Sequence, residues 1–460
     1  MGDSLWSILR DLGRVRRGGT EAVLARQQSR LAELVAHARA ESPYYRERYQ
    51  GLPERVTDVT TLPVTTKTEL MDRFDDWATD RAITLDEVRE FIEDDENVGK
   101  PFRGTYLVVT TSGTSGTRGV FVQDDRMFTV LSAITVGRAT GQFLRGWRDY
   151  WGMVKTGGRT AALWATEGHF AGFVTARRLI SERTSRRRKI RIISVHHPLD
   201  QIVAELNEFR PGILNGYASA IALAAREREA GRLTINPVLV ITSAEGLPPE
   251  EYPRIAEAFG AKVRNQYACS EFMGIAHGCQ ENWLHVNADW VILEPVDARF
   301  RPVPPGELSH TVLLTNLANL VQPIIRYDLG DSVLVRPDPC PCGNPLPAIQ
   351  IQGRTADVLV FTAEDGREVR LPPLSLGTLV DHTPGVSRFQ IVQDQPARLR
   401  VRLELTGDRD ADQVWTAVHS AIGDLLTEHG IHDIDVVRES EPPRRSTGGK
   451  FRPVYSELAT

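Results

Sequence analysis

The fold of this chain is indicated by one run, Thr110-Thr111-Ser112-Gly113-Thr114-Ser115-Gly116-Thr117-Arg118-Gly119. It lies between two apolar stretches, 106–109 and 120–122, which both predict β-strands. Glycines let backbone N–H groups turn toward an anion, and the hydroxyls and the arginine add donors for phosphate oxygens. No Gly-Lys-Ser/Thr follows at Walker A spacing, and no helical pattern opens after the run. The run therefore predicts a loop between two strands that either binds a polyphosphate or is a plain flexible tip.

Length and composition narrow the class of protein. With 460 residues the chain exceeds one hydrophobic core, so we expect at least two domains. The net charge of -5 gives no reason to expect nucleic acid or an anionic membrane as partner. No apolar run approaches a membrane span, the first residues do not resemble a secretion signal, and four cysteines are too few for a disulfide framework. We expect a cytoplasmic enzyme.

The alternation of apolar and amphipathic stretches predicts the fold class. Helical periodicity runs from Leu5 to about residue 40, and from about residue 106 to 312 short apolar runs alternate with amphipathic ones, as in βα units. Past Arg354 four short strands and one amphipathic helix, 412–428, indicate a small α+β unit. We predict an α/β fold with mostly parallel sheets in a large N-terminal domain, residues 1–352, and a small mobile C-terminal domain, residues 353–460.

A basic run interrupts this acidic chain at Arg183, Arg186, Arg187, Arg188, Lys189 and Arg191. A charge run of this kind is consistent with a solvated loop or helix end. Contact with a phosphorylated cosubstrate is the alternative.

Four further segments follow the first loop in a fixed order. They are Asn265-Gln266-Tyr267-Ala268-Cys269-Ser270-Glu271, Arg326-Tyr327-Asp328-Leu329-Gly330-Asp331, Gly353-Arg354-Thr355-Ala356-Asp357, and Thr447-Gly448-Gly449-Lys450-Phe451-Arg452. Together with the first loop they resemble the adenylate-forming enzymes, and within these the phenylacetate–CoA ligase branch. The resemblance covers nearly the whole chain and includes 42–45, 62–67 and 215–219.

The resemblance implies an enzyme that uses ATP and Mg²⁺ to convert a carboxylic acid, an aromatic one in particular, into an acyl-adenylate. It implies a role for Lys450 in bridging the carboxylate and the α-phosphate, for Glu271 in holding Mg²⁺, and for Arg326 in catalysis. The nucleotide-binding residues that it implies are Thr111, Ser112, Gly113, Thr114, Thr117 and Arg118 for the phosphates, Ser243, Ala244 and Glu245 for the pocket, Tyr267 for adenine, Asp331 for ribose, and Arg354.

The acid-binding residues are expected to flank these motifs. The candidates are Trp164, His169, Phe170, Tyr217, Ala218 and Phe272. A neutral imidazole at His169 could orient a ring hydroxyl or amine, or it could be a core histidine.

The acceptor of the acyl group stays open. The resemblance implies that the small domain rotates to a second pose in which the acyl group passes to a thiol such as CoA. Relatives carry Asp or Lys at the hinge position, which is Ala356 here, and Asp357 follows it. The alternative is an amide synthetase or diazotase with an amine or nitrite as acceptor. A non-catalytic scaffold is a further alternative, against which Glu271, Asp331 and Lys450 argue, and a homodimer is left open.

Three cysteines and a histidine predict a structural zinc site. Cys340 and Cys342 form a Cys-x-Cys turn, Cys279 precedes them, and His285 is the fourth ligand that the resemblance favours over His277. Three buried reduced thiols are the alternative. The remaining cysteine, Cys269, lies in the adenine motif and is interpreted as a packing residue.

Overall fold

The fold is described from a computed structural model. It describes residues 4–111, 119–141, 143–144, 146–166, 168–182, 184–247, 250–354, 357–364, 366–371, 373–381, 383–407, 409–445 and 451–458. Outside these ranges lie the predicted phosphate-loop residues Ser112, Gly113, Thr114, Thr117 and Arg118, and also the predicted catalytic Lys450.

The α-helices are distributed along the described part of the chain, from Leu5 to Glu428. They are α1 (Leu5–Glu41), α2 (Pro43–Arg48), α3 (Lys67–Asp72), α4 (Phe74–Trp77), α5 (Leu85–Glu93), α6 (Asp125–Ile134), α7 (Trp147–Lys155), α8 (Ala171–Glu182), α9 (Leu199–Phe209), α10 (Ala218–Glu229), α11 (Glu251–Phe259), α12 (Pro373–Asp381) and α13 (Ala411–Glu428). A 3₁₀-helix covers Thr184–Arg188, and α6 continues into a π-helix, Thr135–Thr140.

The strands fall into a large central sheet and several smaller ones. They are β1 (Leu107–Thr110), β2 (Val120–Gln123), β3 (Thr160–Trp164), β4 (Ile190–Ser194), β5 (Ile213–Tyr217), β6 (Leu239–Ser243), β7 (Lys262–Tyr267), β8 (Ala276–Gly278), β9 (Leu284–Val286), β10 (Val291–Val296), β11 (Thr311–Asn316), β12 (Tyr327–Asp328), β13 (Asp331–Val335), β14 (Ala348–Arg354), β15 (Leu359–Thr362), β16 (Glu368–Leu371), β17 (Val386–Gln395), β18 (Arg398–Leu405), β19 (Asp435–Glu439) and β20 (Val454–Ser456).

The central sheet confirms the predicted α/β class. Among the described residues its order is β13-β14-β9-β8-β7-β6-β5-β3-β4. The strands from β4 to β7 run parallel, and those from β8 to β13 add antiparallel pairs. Buried apolar strands with helices between them form such a sheet because each crossover must bury one apolar face against it. The carboxyl ends of the parallel strands therefore meet along one edge.

The C-terminal part has its own apolar core. Strands β17 to β20 form a sheet in the order β19-β18-β17-β20, against which α12 and α13 pack. Its core cluster comprises residues between Leu359 and Val454, apart from the clusters formed by earlier residues. Strand β14 pairs with β13 as far as Arg354, so it runs through the predicted boundary at 352/353. The division into two domains stays a prediction.

Candidate active site

Four predicted site residues stand at the ends of neighbouring strands. Trp164, Tyr217, Ser243 and Tyr267 are the last residues of β3, β5, β6 and β7, and all four line a cleft of 1540 Å³. Ligand sites in open α/β sheets lie at this edge, because the loops that leave the strand ends surround a crevice there. Other predicted residues also line the cleft, namely Thr111, Phe170, Ala244, Glu245, Glu271, Asp331 and Cys279.

The base of the predicted phosphate loop is closed and packed against the adenine motif. The Thr111 amide donates to the Gly119 carbonyl at 2.9 Å, and the Gly119 amide donates back to Thr111 Oγ1 at 2.8 Å. Ser270 Oγ donates to the Thr110 carbonyl at 3.1 Å. These bonds bring together two motifs that lie about 150 residues apart in sequence.

The predicted adenine and ribose residues are in direct contact. Tyr267 Oη donates to Asp331 Oδ2 at 2.5 Å, and Asp331, which begins β13, lines the same cleft. Nearby, the buried carboxylate of Glu271 accepts a hydrogen bond from Tyr327 Oη at 3.0 Å. Each of these two carboxylates is therefore held by the hydroxyl of a different tyrosine.

An aromatic wall lines the opposite part of the cleft. The Trp164 and Tyr217 rings pack edge to face with centroids 4.8 Å apart, and Phe170 lies next to them along the cleft wall. Burial raises the pKa of Tyr217 above its ordinary value, so its hydroxyl stays neutral at physiological pH. The wall offers apolar surface for a ring or an alkyl chain.

Glu245 connects the large sheet to the C-terminal glycine-rich segment. Its carboxylate accepts the Ser219 amide at 2.8 Å and the Phe451 amide at 2.5 Å. Arg445 Nη1 donates to Ser219 Oγ at 3.2 Å. The described residues on both sides of 446–450 therefore contact the cleft edge, and Phe451 itself lines the cleft.

An ion pair holds the segment after Lys450. The Arg452 guanidinium pairs with Asp357, which follows the predicted hinge position. The Arg388 guanidinium carbon lies 4.1 Å from the centroid of the Phe451 ring, and burial lowers the pKa of that arginine.

Arg326 is not brought to the cleft. Its guanidinium pairs with Glu294 at 3.0 Å and donates to the Thr60 and Leu62 carbonyls. Burial raises the pKa of Glu294, and the arginine opposes that rise. These contacts join the N-terminal segment to β10 and favour a structural role, while the catalytic role of Arg326 stays a prediction.

Three predicted acid-pocket residues also lie away from the cleft lining. His169, Ala218 and Phe272 are fully buried. The His169 ring packs edge to face on Phe91 at 5.7 Å, which favours the core-histidine alternative, and its substrate role stays a prediction. Phe272 belongs to the main apolar core, and Ala218 begins α10 beneath Tyr217. Of Arg354, the structure describes the backbone only.

The four predicted metal ligands form one cluster. The ligand atoms of Cys279, His285, Cys340 and Cys342 all lie within 4.8 Å of one another. Cys279 Sγ and Cys340 Sγ are 3.8 Å apart, close to the ~3.8 Å edge of a tetrahedron with Zn–S bonds of ~2.3 Å. His277 is not a member of the cluster.

The histidine of this cluster is oriented as a ligand through Nε2. His285 Nδ1 lies 2.8 Å from the Leu346 carbonyl, so that nitrogen carries the proton, and Nε2 lies 3.1 Å from Cys342 Sγ. Burial lowers the pKa of His285 and raises the pKa of Cys342 to about 12. Burial also raises the pKa of Cys269, which fits a packing role.

Sequence reasoning missed the partners of the predicted residues. Tyr327 and Ser219 stand inside motifs that were recognised, yet their hydrogen bonds to Glu271 and Glu245 depend on strand neighbours far away in sequence. Arg445 had one available signal, its position directly before the glycine-rich segment.

Comparison with known proteins identifies the fold as that of adenylate-forming enzymes. A 2-hydroxyisobutyryl-CoA ligase in the postadenylation state superimposes with a TM-score of 0.64 and 22% identity, over 95% of this chain and 89% of that one. The same ligase in the thioesterification state gives 0.51 over the same shares. A benzoate CoA ligase from Burkholderia xenovorans gives 0.51 at 15% identity, over 75% of this chain and 67% of that one.

Sequence comparison gives a shorter match. Protein CapK of Staphylococcus aureus is 29% identical over 148 residues, 31% of this chain and 31% of that protein. The match therefore spans about a third of that relative's length, and no family model matches the chain. Among the described helices, none combines the length and apolarity needed to cross a bilayer. The cytoplasmic location and the homodimer stay predictions.

Proposed function

We propose that this protein is an ATP- and Mg²⁺-dependent ligase that adenylates an aromatic carboxylic acid, releases pyrophosphate and then passes the acyl group to a thiol such as CoA. One observation carries the proposal. The strand-end residues Tyr217, Ser243 and Tyr267, the carboxylates of Glu271 and Asp331, and the segment that follows Lys450 all line one cleft.

The chemistry explains why a cation must reach this cleft. The carboxylate of the acid and the α-phosphate of ATP are both anions, and at ~4 Å they repel by about 1 kcal/mol in water and several-fold more in a drier site. A lysine ammonium between them lowers this repulsion as the new C–O–P linkage forms. The contacts of Arg445 and Phe451 with Ser219 and Glu245 support Lys450 in this role, because they tie both neighbours of its segment to the cleft.

The nucleotide half of the proposal rests on donors and acceptors along the cleft. Tyr267 offers a ring face to adenine, and Asp331 offers carboxylate oxygens to the ribose hydroxyls. Thr111, at the base of the hydroxyl-rich loop, lines the same cleft and would lie near the phosphates of ATP. Glu271 suits Mg²⁺, since Mg²⁺ prefers one or two carboxylates together with phosphate oxygens. The bound metal would screen the charge of the leaving pyrophosphate.

An aromatic acid suits the wall formed by Trp164, Phe170 and Tyr217. Edge-to-face packing against such rings adds to the burial of apolar area and favours planar substrates. Fewer residues of this chain indicate the identity of the acceptor than that of the acid. Ala356 at the hinge position favours the second candidate, in which an amine or nitrite captures the adenylate and gives an amide or a diazo product.

The cysteine cluster supports a structural zinc. Its tetrahedral sulfur spacing and the oriented His285 match a Cys₃His site, which would join the loop between β8 and β9 to the segment before β14. All four positions are taken by protein ligands, so such a site leaves no open position for chemistry.

The test is pyrophosphate release with ATP, Mg²⁺ and a panel of aromatic and aliphatic acids, without any acceptor. We expect acid-dependent release, lowered at least about 100-fold in Lys450→Ala. The matched control is Lys155→Ala, which changes a lysine far along the chain and should leave the rate unchanged. Adding CoA, amines or nitrite and identifying products by mass then distinguishes the acceptors. Release that does not depend on any acid, or that survives Lys450→Ala, would contradict the proposal.

A further inference from the structure

Helix α7 has two opposite faces with different surroundings. One face, formed by Asp149, Gly152, Met153 and the following Thr156, packs on the starts of three parallel strands. Asp149 pairs with Lys262 at 2.6 Å at the start of β7. A Cβ at Gly152 would collide with Val238 before β6, and a Cβ at Gly212 before β5 would collide with Thr156. These contacts hold the helix through its inner face.

The outer face of α7 is an exposed aromatic stripe. Trp147, Tyr150, Trp151 and Val154 follow the spacing i, i+3, i+4, i+7, which places them side by side opposite the packed face. They are 70%, 67%, 54% and 50% exposed. Four large apolar side chains exposed side by side on one helix do not stabilise the packed face. Such a patch indicates an interaction surface.

Positive charge surrounds this stripe. Arg148 and Lys155 lie on one flank of α7, and the Arg148 guanidinium carbon is 5.5 Å from the centroid of the Trp147 ring. The chain then leads through two glycines to Arg159, whose carbonyl accepts the Gly212 amide at 2.8 Å. Arg159 belongs to an arginine groove, which is lined by Arg159, Arg187, Arg188, Arg191, Asn207, Glu208, Phe209 and Arg210.

The arginine groove carries more positive than negative charge. Its one acidic residue, Glu208, is paired with Arg191 at 2.8 Å. Within the part of the chain that the structure describes, no ion pair is found for Arg187, Arg188, Arg148 or Lys155. The whole chain has a negative net charge, but the charge of this surface is therefore positive.

This surface lies at the opposite end of the sheet from the cleft. Arg159 precedes β3, Lys189 precedes β4 and Arg210 precedes β5, whereas the cleft residues stand at the far ends of the same strands. The basic run therefore does not serve the phosphorylated cosubstrate of the cleft, and its surroundings fit the surface described here.

We propose that the stripe on α7 and the arginine groove together bind the surface of an anionic lipid membrane. Tryptophan and tyrosine rings fit the interfacial layer of a bilayer, and neighbouring Arg and Lys side chains are attracted to anionic headgroups. Side chains exposed by half or more project from the surface, so a protein partner would need a matching groove, whereas headgroups rearrange around the rings. A nine-residue helix gives weak, reversible and salt-sensitive binding.

The test is co-sedimentation of the full chain with vesicles of phosphatidylcholine alone or mixed with phosphatidylglycerol, at low and high salt. We expect binding to the mixed vesicles that weakens with salt. Trp147→Ser/Trp151→Ser should lower the partition coefficient by about tenfold or more on both vesicle types. Arg187→Gln/Arg188→Gln should lower it by about tenfold on the mixed vesicles only.

Trp6→Ser supplies the matched control, since Trp6 is 72% exposed on α1, and it should bind as the unchanged protein does. Circular dichroism and acid-dependent pyrophosphate release without vesicles should be unchanged in all variants. The proposal is overturned if neither vesicle type sediments the protein, or if the control loses as much binding as the α7 variant. It is also overturned if the unchanged protein binds an oligonucleotide or forms a concentration-dependent dimer through this surface, so that the α7 variants abolish that binding or that dimer instead.

Discussion

Glu271, the predicted Mg²⁺ ligand, is oriented by a buried hydrogen bond. Tyr327 donates to Oε1 of this carboxylate at 3.0 Å, and Asn316 Nδ2 donates to its backbone carbonyl. The Tyr327 hydroxyl thus orients the carboxylate that we predict to hold the cation. Changing Glu271 to Gln keeps an acceptor for Tyr327 but removes the charge that Mg²⁺ requires.

We therefore expect Glu271→Gln to lower acid-dependent pyrophosphate release by about 100- to 1000-fold, with little change in the melting temperature. Titrating Mg²⁺ at fixed ATP measures the effect. Tyr327→Phe is the control, because it removes only the orienting hydrogen bond and should cost about tenfold. Equal losses in the two variants would show that orientation, rather than charge, is what Glu271 provides.

Arg326 is expected to matter for stability rather than chemistry. Removing it leaves Glu294 buried without its cation, so Arg326→Gln should lower the free energy of unfolding by about 3–5 kcal/mol. Burial already raises the pKa of Glu294, and without the arginine the folded-state pKa rises further. A raised folded pKa means that the folded state binds more protons, so the loss should be small below the ordinary glutamate pKa and grow as the pH rises above it. Denaturant unfolding at several pH values measures this, and Arg326→Gln/Glu294→Gln should recover much of the loss.

At the scale of elements, the predicted zinc cluster joins the loop after β8 and strand β9 to the segment before β14, next to the β9–β14 pairing. We expect about one zinc per chain after dialysis, lost in Cys340→Ser together with a clear fall in melting temperature, because zinc binding contributes folding free energy. Cys269→Ser, in the adenine motif, should retain the metal. Metal analysis and thermal unfolding measure both variants. Metal-free protein, or equal melting of both variants, would favour three reduced thiols.

The elements themselves could be predicted closely from local patterns. Periodicity predicted the helix 412–428, which α13 matches within one residue of its start, and the alternation over 106–312 predicted the βα units of the central sheet. Strand-end positions of Trp164, Tyr217 and Tyr267 also follow from the βα pattern, since every such loop begins where a strand ends. Arg326, His169 and Phe272 could not be placed, because motif membership does not tell which way a side chain points. Only their neighbours in space, such as Glu294 and Phe91, determine that.

At the scale of the whole molecule, one solved state of a structural neighbour matches this chain better than another. The 2-hydroxyisobutyryl-CoA ligase matches better in its postadenylation state than in its thioesterification state, with TM-scores of 0.64 and 0.51. Both scores come from the same ligase, so the difference between them reflects how the parts of that ligase are positioned in its two states. If the proposed function holds, we expect the contacts that join α10 and the cleft edge to the C-terminal part to belong to the adenylating pose, and to break when that part rotates.

Arg226 on α10 makes one of these contacts and allows a test of the pose. Its Nη1 donates to Ser387 Oγ at 3.1 Å, at the start of β17. We expect Arg226→Ala to destabilise the adenylating pose and slow pyrophosphate release by about three- to tenfold, while transfer from a supplied acyl-adenylate to the acceptor stays equal or becomes faster. Single-turnover assays of the two steps measure this. Arg228→Ala is the matched control on the same helix, because Arg228 bonds Leu233 and Asn236 and does not reach the C-terminal part. If Arg226→Ala slowed both steps equally, the contact would stabilise the cleft in general. It would then not select the adenylating pose.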